Sequence, residues 1–185
     1  MEREAIRRVF LNQPVYEGVS LEGFRPAAAL VPIEPGAGVW LTRRSTQLPT
    51  HAGQVSFPGG KIEDSDGSPE VAALREAQEE VGVDPARAEV LGRLPDFKTI
   101  TGFHITSVVA LLPEAVVLQP ETMEVVEVFL LPFSTLLNPV YPIQRKAMLN
   151  GVERAFWVWP HQDHVVWGAT AEILRRLAVR LRAGG

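Results

Sequence analysis

The stretch that decides the fold runs from Gly59 to Val83, GGKIEDSDGSPEVAALREAQEEVGV. Its second half reads as a helix from Ser68 to Val81. Serine is a preferred N-cap, and Pro69 sits at the first helical position, where the missing N–H is harmless. Gly82 supplies the natural stop. At about 100° per residue, Val71, Leu74 and Val81 fall on one side and Glu76, Glu79 and Glu80 on roughly the opposite side.

Those glutamates stand at offsets of three and four residues. There like charges repel by roughly 0.2–0.5 kcal/mol per pair. They also occupy the last turns, where the helix dipole disfavours negative charge. Two readings compete for such a face. Glutamate is a common helix residue, so an isolated Glu-x-x-Glu-Glu can be a solvated acidic face. A hard divalent cation would instead turn both penalties into binding, because carboxylate oxygens are its preferred ligands.

The rest of the chain gives this segment its setting. Its 185 residues are 46% hydrophobic and 22% charged, as expected of one globular domain over residues 1–185. No cysteine is present, which excludes disulfides, thiolate catalysis and cysteine-ligated zinc. The charged start Met1-Glu2-Arg3-Glu4 is followed by no long apolar run. The expectation is therefore a cytoplasmic protein with no signal peptide and no membrane partner. A net charge of −4 argues against nucleic acid as a partner. A small polyanion remains admissible where cations are supplied locally.

Residues 3–12 read as an amphipathic helix with Ile6, Val9 and Phe10 on its apolar face. Ala27–Ile33 and Val39–Thr42 read as strands broken at Pro35-Gly36. Residues 44–60, with Pro49, Gly53, Pro58, Gly59 and Gly60, read as a long structured loop. Further strands are expected at Glu89–Leu94, Phe103–Leu112, Val125–Leu130, Glu153–Trp159 and His164–Trp167. A closing helix is expected over Ala169–Arg182, with Ile173, Leu174, Leu177 and Leu181 at helical spacing. This interleaving lacks the regular strand–helix repeat of a parallel sheet. It predicts an α/β fold with a mixed β-sheet sandwiched between helices.

Taken together, Gly59-Gly60, the acidic loop and Arg75-Glu76-Ala77-Gln78-Glu79-Glu80-Val81-Gly82-Val83 resemble the Nudix box, placed here at about residues 59–83. Arg75 stands fifteen positions after Gly60, where the general box has fourteen, and the loop's acidic position is filled by Asp66. Both departures are expected of the coenzyme A pyrophosphatase subgroup. That subgroup's upstream signature is similar to Leu41-Thr42-Arg43-Arg44-Ser45, Leu48, His51-Ala52-Gly53-Gln54 and Phe57-Pro58-Gly59-Gly60. Pro49 stands where a basic residue is expected. Arg25-Pro26-Ala27-Ala28, Glu124-Val125 before Val128-Phe129-Leu130-Leu131-Pro132, and Trp167-Gly168-Ala169-Thr170-Ala171 extend the likeness over most of the chain.

The resemblance implies a Nudix fold and hydrolysis of a pyrophosphate bond with Mg²⁺ or Mn²⁺. Glu76, Glu79 and Glu80 would be metal ligands, joined by the backbone carbonyl of Gly59. The catalytic base would be Glu79 or Glu124, with Glu121 and Glu127 as neighbouring candidates. Arg75 would tie the helix to the acidic loop around Glu63 and Asp66, and Gly60 would support the site. Arg43, Arg44 and His51 would bind substrate, with Lys61 and Lys98 as further cations. His104, His161 and His164 have no ligand spacing with the glutamates, and the tryptophans read as core or dimer interface. The implied substrate is coenzyme A or a derivative. ADP-ribose or another nucleoside diphosphate is the nearest alternative, and a non-catalytic ligand sensor is a rival of another class. Either a monomer or a homodimer is compatible with this reading.

Overall fold

The structure, a computed structural model, describes residues 1–11, 22–149, 151–162 and 164–184. The chain opens with α1 (Arg3–Leu11), which buries Ile6 and Phe10. Residue 12, the last of the expected first helix, lies outside the described residues. Then come β1 (Arg25–Glu34), β2 (Gly38–Arg44), β3 (Val55–Ser56), β4 (Gly59–Lys61) and α2 (Pro69–Val81). The second half holds β5 (Glu89–Lys98), β6 (Phe103–Leu111), β7 (Val125–Pro132), α3 (Phe133–Leu136), β8 (Ile143–Leu149), β9 (Val152–His161), β10 (His164–Trp167) and α4 (Gly168–Ala183).

Seven strands form one mixed sheet. Its spine runs β3-β2-β1-β6-β5, with β4 pairing to β1 and β7 to β2. The β1–β6 pair is parallel, from Arg25 opposite Phe103 to Ile33 opposite Leu111; the other pairings in this sheet are antiparallel. The last seven residues of β1 are buried without alternation, as befits a central strand covered on both faces. The remaining strands make a second, antiparallel sheet in the order β10-β9-β8.

Two apolar clusters lie on opposite faces of the main sheet. On one face Val31, Ile33, Leu41, Val109 and Leu131 meet α1, α4 and Trp159 of the small sheet. On the other, Ala28, Leu30, Val108 and Ala110 meet Ala72, Ala73, Ala77 and Val81 of α2. The mixed sheet between helices is therefore present, and its second face carries α2 with the glutamates expected as ligands.

Several expectations need correction. The segment 44–60 has little regular structure, as expected, but within it β3 pairs with Thr42 and Arg43 of β2 and β4 starts at Gly59. Strand β8 and the short helix α3 were not anticipated. In α2 the buried residues are Ala72, Ala73, Ala77, Glu80 and Val81, while Val71 is half exposed. A face of alanines lets the helix settle close to the sheet, which turns Glu76 and Glu80 toward β4 and away from solvent. Trp159 is core, with its indole N–H donated to the Ala171 carbonyl, whereas Trp167 is about half exposed.

Candidate active site

Helix α2 is fixed at both ends. Ser68 is extended, and its hydroxyl accepts from the Val71 N–H at 3.3 Å. At the other end Gly82 adopts φ 73° and ψ 24°, a left-handed cap that glycine takes without Cβ strain. Its N–H reaches the Gln78 carbonyl at 3.1 Å, and that of Val83 reaches Ala77 at 3.3 Å. The glutamates are thus held at a set depth and rotation against β4.

Glu76 lies over Gly60: a Cβ built on that glycine would come within 2.6–2.7 Å of the Glu76 carboxylate atoms. Gly60 therefore matters because of this close approach. Glu80, 8% exposed, accepts the Gly59 N–H at 3.2 Å through Oε2. The contact that Gly59 makes with the site is through its amide. A Cβ there would strike the backbone of β1 at Ala28 and Ala29, so tight strand pairing explains that glycine, and access to its carbonyl is not needed to explain it. Glu79 is the outermost of the three, its side chain 57% exposed.

Burial shapes the acidities here. It raises the pKa of Glu80 to about 7, with the Gly59 N–H and the Arg44 charge opposing and Glu76 and Glu124 adding to the rise. Burial likewise raises Glu76, against the bond from Arg75. Two carboxylates that resist ionisation side by side favour a cation.

Two arginines supply cations already. Arg75 places Nε and Nη2 on the two oxygens of buried Asp66, at 2.8 and 3.1 Å, in a bidentate pair. Its Nη1 reaches Glu76 at 2.9 Å and Glu79 at 3.4 Å. This pairing holds the Asp66 carboxyl below the usual range. Asp66 in turn accepts the Glu63 N–H at 2.8 Å. The tie to the acidic loop thus runs through the Asp66 side chain; Glu63 contributes its backbone, and Lys61 its carbonyl.

Arg44 lies opposite. Its Nη1 is 3.8 Å from Glu80, and Nη2 is 3.1 Å from Glu124. The Glu124 carbonyl accepts the Ser45 N–H at 2.7 Å, which ties the segment ahead of β7 to the loop after β2. Glu124 is therefore carried to the helix face from a distant part of the chain. Glu121 instead donates its N–H to the Glu80 carbonyl, and its carboxylate accepts from Gln119.

Arg43 and Arg44, adjacent in sequence, part company. Side chains alternate along a strand, so Arg43 emerges on the face of Leu41 and Phe129. There it binds Glu127 at 2.7 Å, and Glu127 also contacts His164 at 3.2 Å. His164 stacks on Phe129 with ring centroids 4.1 Å apart. Arg43 and Glu127 thus belong with the small sheet and are separated from the Glu80 side by the main sheet. The two arginines expected to bind substrate thus leave β2 on opposite faces of the sheet. His51 is on the exposed loop, its ring bonded to Gln54 at 3.0 Å. Lys98 sits over the Phe24 ring, and buried His104 lies 3.6 Å from Asp96.

Among the described residues, no group of three or more acidic or histidine side chains is drawn close enough to cage a metal as it stands. The donor chemistry nevertheless fits a hard divalent ion. Glu76 and Glu80 face β4 with raised pKa values, and Glu79 and Glu124 flank them within reach of the same arginines. Among the described residues no helix is long and apolar enough to cross a membrane.

Comparison with known proteins places this arrangement. The sequence profile of the NUDIX domain matches residues 23–150. The chain is 39% identical over 180 residues to a Citrobacter koseri protein named uncharacterized Nudix hydrolase NudL, covering 95% of this chain and 92% of that one. To the Escherichia coli K12 protein of the same name it is 40% identical over 161 residues, covering 85% and 83%. Among solved structures, DR0079 from Deinococcus radiodurans superposes with a TM-score of 0.57 at 15% identity, over 90% of this chain and 88% of that one. A MutT/nudix family protein from Enterococcus faecalis gives 0.53 at 14% identity, over 98% and 75%. Those two likenesses concern the fold; the profile and the sequence relatives show that this chain belongs to the Nudix family of hydrolases.

Proposed function

We propose that the protein hydrolyses the pyrophosphate bond of coenzyme A or an acyl or oxidised derivative. The products are 4′-phosphopantetheine, or its derivative, and adenosine 3′,5′-bisphosphate. The observation that carries this reading is the convergence of Glu76 and Glu80 on the Gly59–Gly60 strand, with Glu124 brought opposite through Arg44. The upstream residues Arg44, His51 and Phe57–Gly60, together with the subgroup's longer loop, favour coenzyme A as the compound cleaved. Residues 1–185 act in this reading as one Nudix domain.

Mg²⁺ or Mn²⁺, when bound here, would neutralise pyrophosphate charge and lower the pKa of an attacking water. Glu76, Glu79 and Glu80 would hold the cation, together with the Gly59 carbonyl. Arg75 keeps Glu76 and Glu79 in place and locks the loop through Asp66. A water adds to one phosphorus as the bridging P–O bond breaks, and its proton passes to a carboxylate. Glu124 is the better placed base. It faces Glu80 across Arg44, whereas Glu79, equally exposed and held by Arg75, is already assigned to the cation. Arg44 is the substrate-binding cation nearest the carboxylates, and His51 joins it from the flanking loop.

ADP-ribose is the second reading, favoured by Pro49 where the coenzyme A signature has a basic residue. The test is metal-dependent release of adenosine 3′,5′-bisphosphate from coenzyme A by the wild type, Glu79→Gln and Glu80→Gln. Loss in the variants supports the site, whereas unchanged hydrolysis in both refutes it.

A further inference from the structure

The two arginines of the site differ in what surrounds them. Arg75 is saturated: Asp66, Glu76, Glu79 and the Lys61 carbonyl occupy its guanidinium. Arg44 is not. Its side chain is only 22% exposed and spans two carboxylates, 3.1 Å from Glu124 and 3.8 Å from Glu80. Its Nε is buried and makes no hydrogen bond among the described residues. A donor left unsatisfied in a buried place is costly, so this resting position leaves Arg44 poised to move. One of the two carboxylates that it neutralises, Glu80, is also a proposed ligand of the divalent cation.

We infer that Arg44 is an internal counter-ion of Glu80 and Glu124 which a divalent cation bound at Glu80 displaces, and that the freed guanidinium then receives the anionic phosphates of the substrate. The inference rests on the proposed metal site and adds a coupling to it. One cation cannot be shared at full strength between two carboxylates and a phosphate. A metal ion that takes over Glu80 makes Arg44 available, and a phosphate that draws Arg44 away strengthens metal binding in return, because such coupling is reciprocal. Arg43 has no part in it: it is paired with Glu127 on the other face of the sheet.

The coupling is tested by titrating chelator-treated protein with Mn²⁺ alone, read by calorimetry and by the paramagnetic resonance of free Mn²⁺. Arg44→Met keeps the apolar stem and removes the charge, and Arg44→Gln is a second route to the same end if the first variant folds poorly. Both are expected to bind Mn²⁺ more tightly than wild type, by on the order of tenfold, the effect of removing a unit positive charge beside the ligand oxygens. Arg44→Lys should stay near wild type because it keeps the competing charge, and Arg43→Met should be unchanged. Affinity equal to wild type or weaker in both neutral variants overturns the inference. Glu80→Gln is the separate control. If it binds Mn²⁺ as wild type does, the metal site itself is wrong, whatever Arg44 does.

Discussion

Replacing Gly60 by alanine separates the chemistry of the site from the stability of the fold. The added Cβ would lie 2.6 Å from Cδ and Oε1 of Glu76 and 2.7 Å from Oε2. Ordinary carbon contacts are about 3.5–4.0 Å, so the carboxylate must retreat by about 1 Å. It can do so, because it ends a flexible side chain that is 19% exposed. Gly60 is not among the residues with positive φ, so alanine fits the backbone. Restricting the unfolded chain contributes about 0.4–1 kcal/mol of stability, and an off-rotamer Glu76 costs about 0.5–1.5 kcal/mol. The two nearly cancel, and stability should change by less than about 1 kcal/mol. A ligand displaced by about 1 Å, by contrast, lowers kcat on the order of 100-fold. Urea denaturation and steady-state hydrolysis of coenzyme A with Mn²⁺ give the two numbers. Gly59→Ala is the contrasting variant: its Cβ would come 2.7 Å from the Ala29 Cα, and backbone cannot step aside. It should destabilise by about 1–3 kcal/mol. A Gly60→Ala enzyme with kcat within threefold of wild type would refute the placement of Glu76 in the reaction.

Other consequences follow from the same contacts. Arg75→Ala removes the partner of buried Asp66 and the clamp on Glu76, so it should lower both the melting temperature and kcat, the latter by about 10–100-fold. Arg75→Lys should not restore either, since an ammonium cannot reproduce the bidentate pair. Glu124→Gln should lower kcat by about 10²–10⁴-fold with little change in KM, and Glu79→Gln should lower it less; the reverse order would make Glu79 the base. The Glu70 carboxyl is held below its usual pKa by hydrogen bonds from Arg93 at 2.6 and 2.8 Å. A depressed carboxylate stabilises the fold above its unfolded pKa of about 4.3, and that contribution is lost as pH falls through the folded value. Denaturation curves from pH 6 to pH 3 should therefore be flatter for Glu70→Gln than for wild type.

Much of the fold and of the candidate site is legible in the sequence. Helix α2 could be read to its caps because Ser68, Pro69 and Gly82 act locally. Its facing could not, since Ala72, Ala73 and Ala77 carry little hydrophobic signal although it is their smallness that lets the helix approach the sheet. Strand β8 was hidden by Arg145 and Lys146 in its middle; it exists because it pairs along its whole length with β9. Strands β3 and β4 are two and three residues long, too short for a period, and are held by pairing to β2 and β1. The separation of Arg43 from Arg44 was within reach: once β2 extends to Arg44 rather than ending at Thr42, alternation alone sends the two arginines to opposite faces. The union of Glu124 with Glu80 needs the backbone bond from Ser45 to Glu124, a contact across 79 positions that no local pattern encodes.

The central claim is the cleavage of one bond in one class of compound. Its most direct test is a panel of coenzyme A, dephospho-coenzyme A and ADP-ribose, each with Mg²⁺, with Mn²⁺ and with chelator, every product identified by mass. The expected result is metal-dependent turnover of coenzyme A to 4′-phosphopantetheine and adenosine 3′,5′-bisphosphate, faster than either comparison compound. Preference for ADP-ribose by a large factor, or turnover of coenzyme A undiminished by the chelator, would contradict it.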